Sequence, residues 1–379
     1  MRQRAAVLAV AVLVVLGADV AVVVTRRTET PSGPTPAAVG EVERAIPELM
    51  AFVEQARGLR FKQKPVVQLL PDREFEQRLL EDDAADEESL ADDEAYLGLL
   101  RALGLVEGDL DLDEVSEEQA HDIVGFYDAH ADTLFVRGTT LTPYVKEVLV
   151  HELTHALEDQ LFDLDRESLN DDDAAAFAAL VEGSALVVEK RWFDSRPPAE
   201  QEEIEAAEGS GDPEGVTLPG QDVFDQLLSF PYEVGPRFVD AVLAAGQQSR
   251  LDEAFRVPPV TSEQVLHPER FLAGEGARPV ADPSPDGPEI ERGSLGELGL
   301  LLVVDGAVEH GSALRAAAGW GGDRYVLWKD GARSCLRWNL VMDTARDTNE
   351  ALAALRAWAG DHRGASVRGL DPIVVTSCG

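Results

Sequence analysis

Positive charge is scarce in this chain. Its 33 lysines and arginines stand against 71 aspartates and glutamates over 379 residues, a formal net charge of −38. Such a field repels nucleic acid and anionic lipid headgroups, so nucleic-acid binding is disfavoured and solubility favoured. Cysteine is nearly absent: Cys335 and Cys378 can form a single disulfide or remain two buried thiols. No internal repeat is visible. What is abundant is apolar material, 45% of residues, enough for a substantial core in one large or two ordinary domains.

The N-terminus carries Arg2 and Arg4, an apolar run from Ala5 to Val24 broken only by Asp19, then Arg26 and Arg27. Twenty residues just cross a bilayer, whereas Ala5 to Ala18 alone suit a cleavable signal. Residues 1–27 therefore read as a signal anchor in preference to a signal peptide. The expected location is the cell membrane, single-pass with an extracytoplasmic body, or secreted if the segment is cleaved. Membrane contact is expected through this transmembrane anchor only.

Residues 28–38, rich in Pro and Thr, read as a linker. A helical pattern follows from Val39 to Leu59, then a β-like "PVVQLL" at 65–70 and an acidic helical stretch from Asp72 to Leu103. "DIVGFYD" and "TLFVRG" predict an antiparallel hairpin. Thr142 and Pro143 then cap a helix ending near Phe162, and "NDDD" at 170–173 caps the next. A polar loop is expected from Arg196 to Pro219, and two helices around Pro231 to Gly235. The tail, 286–379, reads as an α+β segment with a hairpin turning at Asp330 and Gly331.

The chemistry concentrates in "VLVHELTHALEDQLFDL", residues 148–164. Four helical residues turn through roughly 400° and rise roughly 6 Å, so His151 and His155 project from one face and can reach one ion. Glu152 lies about 100° round, where it can touch water beside a metal without ligating, as a general base requires. With seven histidines in the chain, chance produces this pattern roughly once in a hundred such chains. The trio fits a zinc hydrolase.

Catalytic zinc takes three protein ligands, so a third donor is needed. Glu158 is roughly 10 Å of helix rise beyond His151, too far for easy sharing of one ion. A histidine six residues after His155 is absent, since Leu161 stands there. Glu182 is the better candidate: it interrupts the apolar run "FAALVEGSALVV" in the next helix, where an unpartnered charge is costly and a cation would neutralise it. A glutamate on the polar edge of an amphipathic helix would look the same. Gly183, Ser184 and Ala185 would let the two helices approach closely. The acidic clusters at 163–167 and 171–173 lack EF-hand spacing, and capping explains them.

"HELTHAL" followed by "VEGSA" resembles the gluzincin zinc metallopeptidases, the thermolysin-like class, and more narrowly an exported bacterial group bearing this motif. The resemblance covers residues 120–195. It implies an α+β fold, a mainly helical zincin-like core at 39–285 with a small antiparallel sheet whose edge strand binds a peptide or protein substrate. It implies zinc held by His151, His155 and Glu182, and peptide hydrolysis by a zinc-bound water that Glu152 activates. Family members orient a histidine with an acid four residues after the glutamate ligand, where this chain has Leu186. They also stabilise the oxyanion with a histidine or tyrosine, for which Tyr232 and His267 are the candidates. The alternative is a non-catalytic envelope protein that keeps zinc on this scaffold and binds a partner.

Overall fold

The computed structural model describes residues 36–81, 87–108, 123–129, 131–166, 171–208 and 221–379, with 110, 112, 115 and 120 between them. The N-terminal apolar segment and most of the linker lie outside the described residues. Among the described residues no helix is long and apolar enough to cross a membrane. That finding corrects the expected transmembrane anchor and, with it, the single-pass membrane location. The longest helix, Gln221–Arg256, has the length at 36 residues, but Asp, Glu and Arg recur along it.

The architecture is mixed α+β. Helix α1 (Pro36–Arg57) precedes β1 (Val66–Leu70), α2 (Asp72–Glu81) and α3 (Glu87–Leu103). The expected hairpin forms from β2 (Gly125–Asp128) and β3 (Thr133–Arg137), paired antiparallel with Phe126 opposite Phe135. β1 joins β3 in parallel, so this sheet is mixed rather than purely antiparallel. The long excursion through α2 and α3 lets the chain return to the same end of the sheet, as a parallel pair requires. In the order β1-β3-β2, β2 has no strand partner on its outer side among the described residues.

Helix α4 (Pro143–Phe162) starts where its cap dictates: Thr142 Oγ1 accepts the Val145 N–H at 3.2 Å and Pro143 opens the first turn. It is buried on nearly every side from Tyr144 to Glu158, the mark of a central helix. Its apolar residues, among them Val148, Leu149 and Leu153, share a core with α1 and with Leu134 and Val136 of β3. Helix α5 (Asp171–Asp194) packs beside α4 and contributes Val188 and Trp192 to that core. The region expected as polar loop contains α6 (Pro198–Glu208), which buries Ile204.

Helix α7 (Gln221–Arg256) runs unbroken past Pro231 and Pro236 and breaks instead at Gly246 and Gln247, where the backbone leaves helical angles. It lies against α5 so closely that a Cβ on Gly183 would stand 2.2 Å from the Gly235 carbonyl carbon. The small residues beside Glu182 thus serve two neighbours: Gly183 admits α7, while Ser184 faces α4. Short helices α8 (Ser262–Leu266) and α9 (Pro268–Ala273) lead to the C-terminal unit.

That unit is an antiparallel sheet in the order β4-β5-β6-β8-β7, with β4 (Glu289–Gly293), β5 (Trp320–Asp330), β6 (Arg333–Met342), β7 (Ser366–Arg368) and β8 (Ile373–Cys378). Helices α10 (Gly296–Asp305), α11 (His310–Ala317) and α12 (Ala345–Asp361) pack on one face. Leu99, Ala102 and Leu103 of α3 complete the same core, so the unit is finished by a helix from far upstream. Cys335 and Cys378, opposite one another on β6 and β8, form a disulfide. Asp323 gathers donors from the backbone of Leu295 and Gly296, the Ser294 hydroxyl, and the indoles of Trp320 and Trp338. This pins the start of α10 to the sheet. Tyr325 donates to Asp171 at 2.6 Å and ties the unit to the first turn of α5.

Candidate metal centre

The two helices that carry the motif and Glu182 lie side by side, and three donors meet between them. His151 Nε2 is 3.1 Å and His155 Nε2 3.6 Å from the same oxygen, Glu182 Oε2. The two rings sit 4.7 Å apart at 77°, as residues one turn apart on α4 must. One ligand atom from each of the three lies within 4.8 Å of the others, and all three residues are buried. Glu182 itself is 0% exposed.

Without a cation this group is poorly satisfied. Neither ring nitrogen of His155 has a hydrogen-bond partner among the described residues, nor does Glu182 Oε1. Buried polar atoms in that state are costly. Burial acts to raise the Glu182 carboxyl, but the two imidazoles outweigh it and hold it below the usual carboxylate range. Burial likewise acts to lower His155, and the Glu182 carboxylate reverses this and raises it. Each group therefore leans on the charge of the other. A divalent ion among two imidazoles and a carboxylate would satisfy all three, and this donor set suits zinc.

Glu152 lies close to the sheet. A Cβ on Gly125 of β2 would stand 3.5 Å from Glu152 Cγ and 2.6 Å from Val148 Cγ1. A glycine in β2 is what lets the motif helix approach the strand this closely. Glu152 is buried (1% exposed), next to His151 in the motif and close to Gly125 of β2.

Two supporting contacts were not evident in the sequence. Glu189, two turns beyond Glu182 on α5, sets its Oε2 2.8 Å from His151 Nδ1. It makes a contact with His151 that the apolar Leu186, three residues earlier, cannot make. Leu186 instead packs in an apolar cluster. Glu158, rejected as a donor by helix rise, is turned away: Oε1 accepts from Arg57 Nε at 2.6 Å and from the Ser184 hydroxyl at 2.5 Å. Arg57 also donates to Gln248 at 2.5 Å, next to the break in α7. This buried pair joins α1, α4, α5 and α7 immediately behind the histidines.

Tyr232 packs with Ala178 in a small cluster that includes Leu186 and Leu228. Ala178 and Leu186 lie one turn either side of Glu182, so Tyr232 flanks the group. His267 belongs elsewhere, with its Nε2 3.1 Å from Glu297 of α10. Ser262, at the start of the helix before it, contacts Asp172, which is roughly 15 Å along α5 from Glu182. A second grouping, Asp330 with Cys335 and Cys378, is spoken for by the disulfide.

Residues 285–377, the C-terminal unit, match the model of a domain of unknown function, DUF8575. Comparison with curated proteins and with solved structures finds no match.

Proposed function

We propose that this chain is a zinc-dependent hydrolase of peptide bonds on a zincin-like core, with His151, His155 and Glu182 holding the metal and Glu152 as general base. The observation that carries the reading is the convergence of two imidazole nitrogens and one carboxylate within 4.8 Å, with a separate glutamate beside β2. A zinc ion so held supplies Lewis acidity, which polarises a carbonyl and brings the pKa of water to about 7. Glu152 accepts a proton from the attacking water and returns it to the leaving amine. The unpaired side of β2 offers main-chain donors and acceptors to an extended polypeptide, which would orient its carbonyl over Glu152. Tyr232 flanks the same space and is the candidate donor to the developing oxyanion.

The test separates binding from chemistry. Glu152→Gln keeps the metal, because Glu152 is not among the three donors, and lowers kcat on an unfolded protein substrate by about 10² to 10⁴. A variant that binds zinc and hydrolyses at the wild-type rate would refute the assignment of the base.

A further inference from the structure

The aspartate run that opens α5 reads as capping, yet its middle member is put to another use. Asp172 is 3% exposed, and its Oδ1 accepts the Ser262 N–H of α8 at 2.9 Å. Its Oδ2 has no hydrogen-bond partner among the described residues. A buried carboxylate oxygen in that state is costly unless a donor reaches it.

Asp172 lines a cavity of about 300 Å³, so a donor has room to arrive. The cavity lies where α5 meets the C-terminal unit, roughly 15 Å along α5 from Glu182. Asp323 lines it as well, but five donors already engage that carboxylate. Arg278 and Arg324 stand at the outer part, the first exposed and the second with a side chain 41% exposed. Arg278 Nη1 donates to the Met342 carbonyl and Arg324 Nε to Asp282, and a guanidinium carries more N–H groups than these contacts use. Val260 and Val280 supply apolar wall.

The cavity thus combines one bare acceptor on its floor, guanidinium donors nearer the mouth and an apolar side, the composition of a small-molecule site. A simple cation would satisfy Asp172 and leave the arginines idle. A simple anion would do the reverse. A molecule that carries an ammonium and a carboxylate on one carbon serves both ends with charge-assisted hydrogen bonds, and a space equal to about ten waters suits one of that size.

We propose that this cavity binds a free α-amino acid with an aliphatic side chain, its ammonium on Asp172 and its carboxylate on Arg278 and Arg324. The inference stands apart from the hydrolase reading, since no residue of the metal group takes part. The zinc-loaded full chain is titrated calorimetrically with L-leucine at pH ~8.5, where Asp172, pushed up by burial to about 8, is mostly ionised. One equivalent should bind with a Kd below about 1 mM. L-leucinamide, which lacks the carboxylate, and 4-methylpentanoate, which lacks the ammonium, should each bind at least about tenfold more weakly.

The variants should show crossed losses. Asp172→Asn should weaken L-leucine at least about tenfold and leave 4-methylpentanoate unchanged. Arg278→Gln combined with Arg324→Gln should weaken L-leucine to a similar extent and leave L-leucinamide unchanged. A general loosening of the fold would not sort the ligands in this way. No saturable binding of L-leucine up to ~10 mM overturns the proposal, as does equal affinity for the three compounds. Unchanged affinity in Asp172→Asn overturns it too, and dependence of that binding on zinc would then put the amino acid at the metal centre.

Discussion

Glu189 Oε2 lies 2.8 Å from His151 Nδ1, and His151 Nε2 in turn lies 3.1 Å from Glu182. One imidazole is therefore held between two carboxylates two turns apart on one face of α5. An acceptor at Nδ1 favours the tautomer whose Nε2 lone pair faces the metal position. Glu189→Ala should weaken zinc affinity 10- to 100-fold, while Glu189→Gln, which keeps an acceptor oxygen, should recover most of it. Competition against a zinc chelator measures this, and equal affinities in wild type and Glu189→Ala would remove Glu189 from the site.

The choice of third donor makes a paired prediction. Glu182→Ala should reduce zinc from one equivalent to none in dialysed protein, since two imidazoles alone hold the ion poorly. Glu158→Gln should keep a full equivalent, because its carboxyl is engaged by Arg57 and Ser184. Elemental analysis of both proteins decides between the two glutamates, and loss of zinc in Glu158→Gln alone would reverse the assignment.

The site was legible to the extent that its parts are local. The Thr142–Pro143 cap and the one-turn spacing of His151 and His155 are short-range, and the apolar surroundings of Glu182 mark it as a residue needing a partner. Glu189 is open to the same reasoning, seven residues from Glu182 and so on its face, but the family pattern places such an acid at Leu186. Nothing local announces Arg57, whose partner Glu158 is 101 positions away. The fold shows the same division. The β2–β3 hairpin followed from alternation and a short turn, whereas the parallel pairing of β1 depends on contacts across two helices. Pro231 and Pro236 suggested a helix boundary, yet packing of Gly235 on Gly183 holds α7 together there.

Arg57 and Glu158 form an ion pair with both side chains 0% exposed. Removing one partner leaves a buried charge, so Arg57→Met should destabilise the protein by roughly 3–5 kcal/mol. The double variant Arg57→Met with Glu158→Gln should recover much of that loss, because no charge is then stranded. Urea unfolding of the four proteins gives the coupling, and additive losses would mean that the pair acts independently.

The first turn of α5 makes stability depend on pH in a direction opposite to that of a paired carboxylate. Burial pushes Asp172 up to about 8 from an ordinary 3.8, against the hydrogen bonds it receives from Ser262. Between pH ~4 and ~8 the native chain keeps a proton that the unfolded chain releases, so its stabilising contribution is complete below the unfolded value and is lost as pH rises through the native one. The slope from this group is roughly 1 kcal/mol per pH unit. Asp171, pushed by burial to about 6 despite the Tyr325 hydroxyl, adds to the lower half of the window. Asp172→Asn should flatten the fall in urea midpoint between pH 5 and 8, and an unchanged slope would show that Asp172 ionises normally.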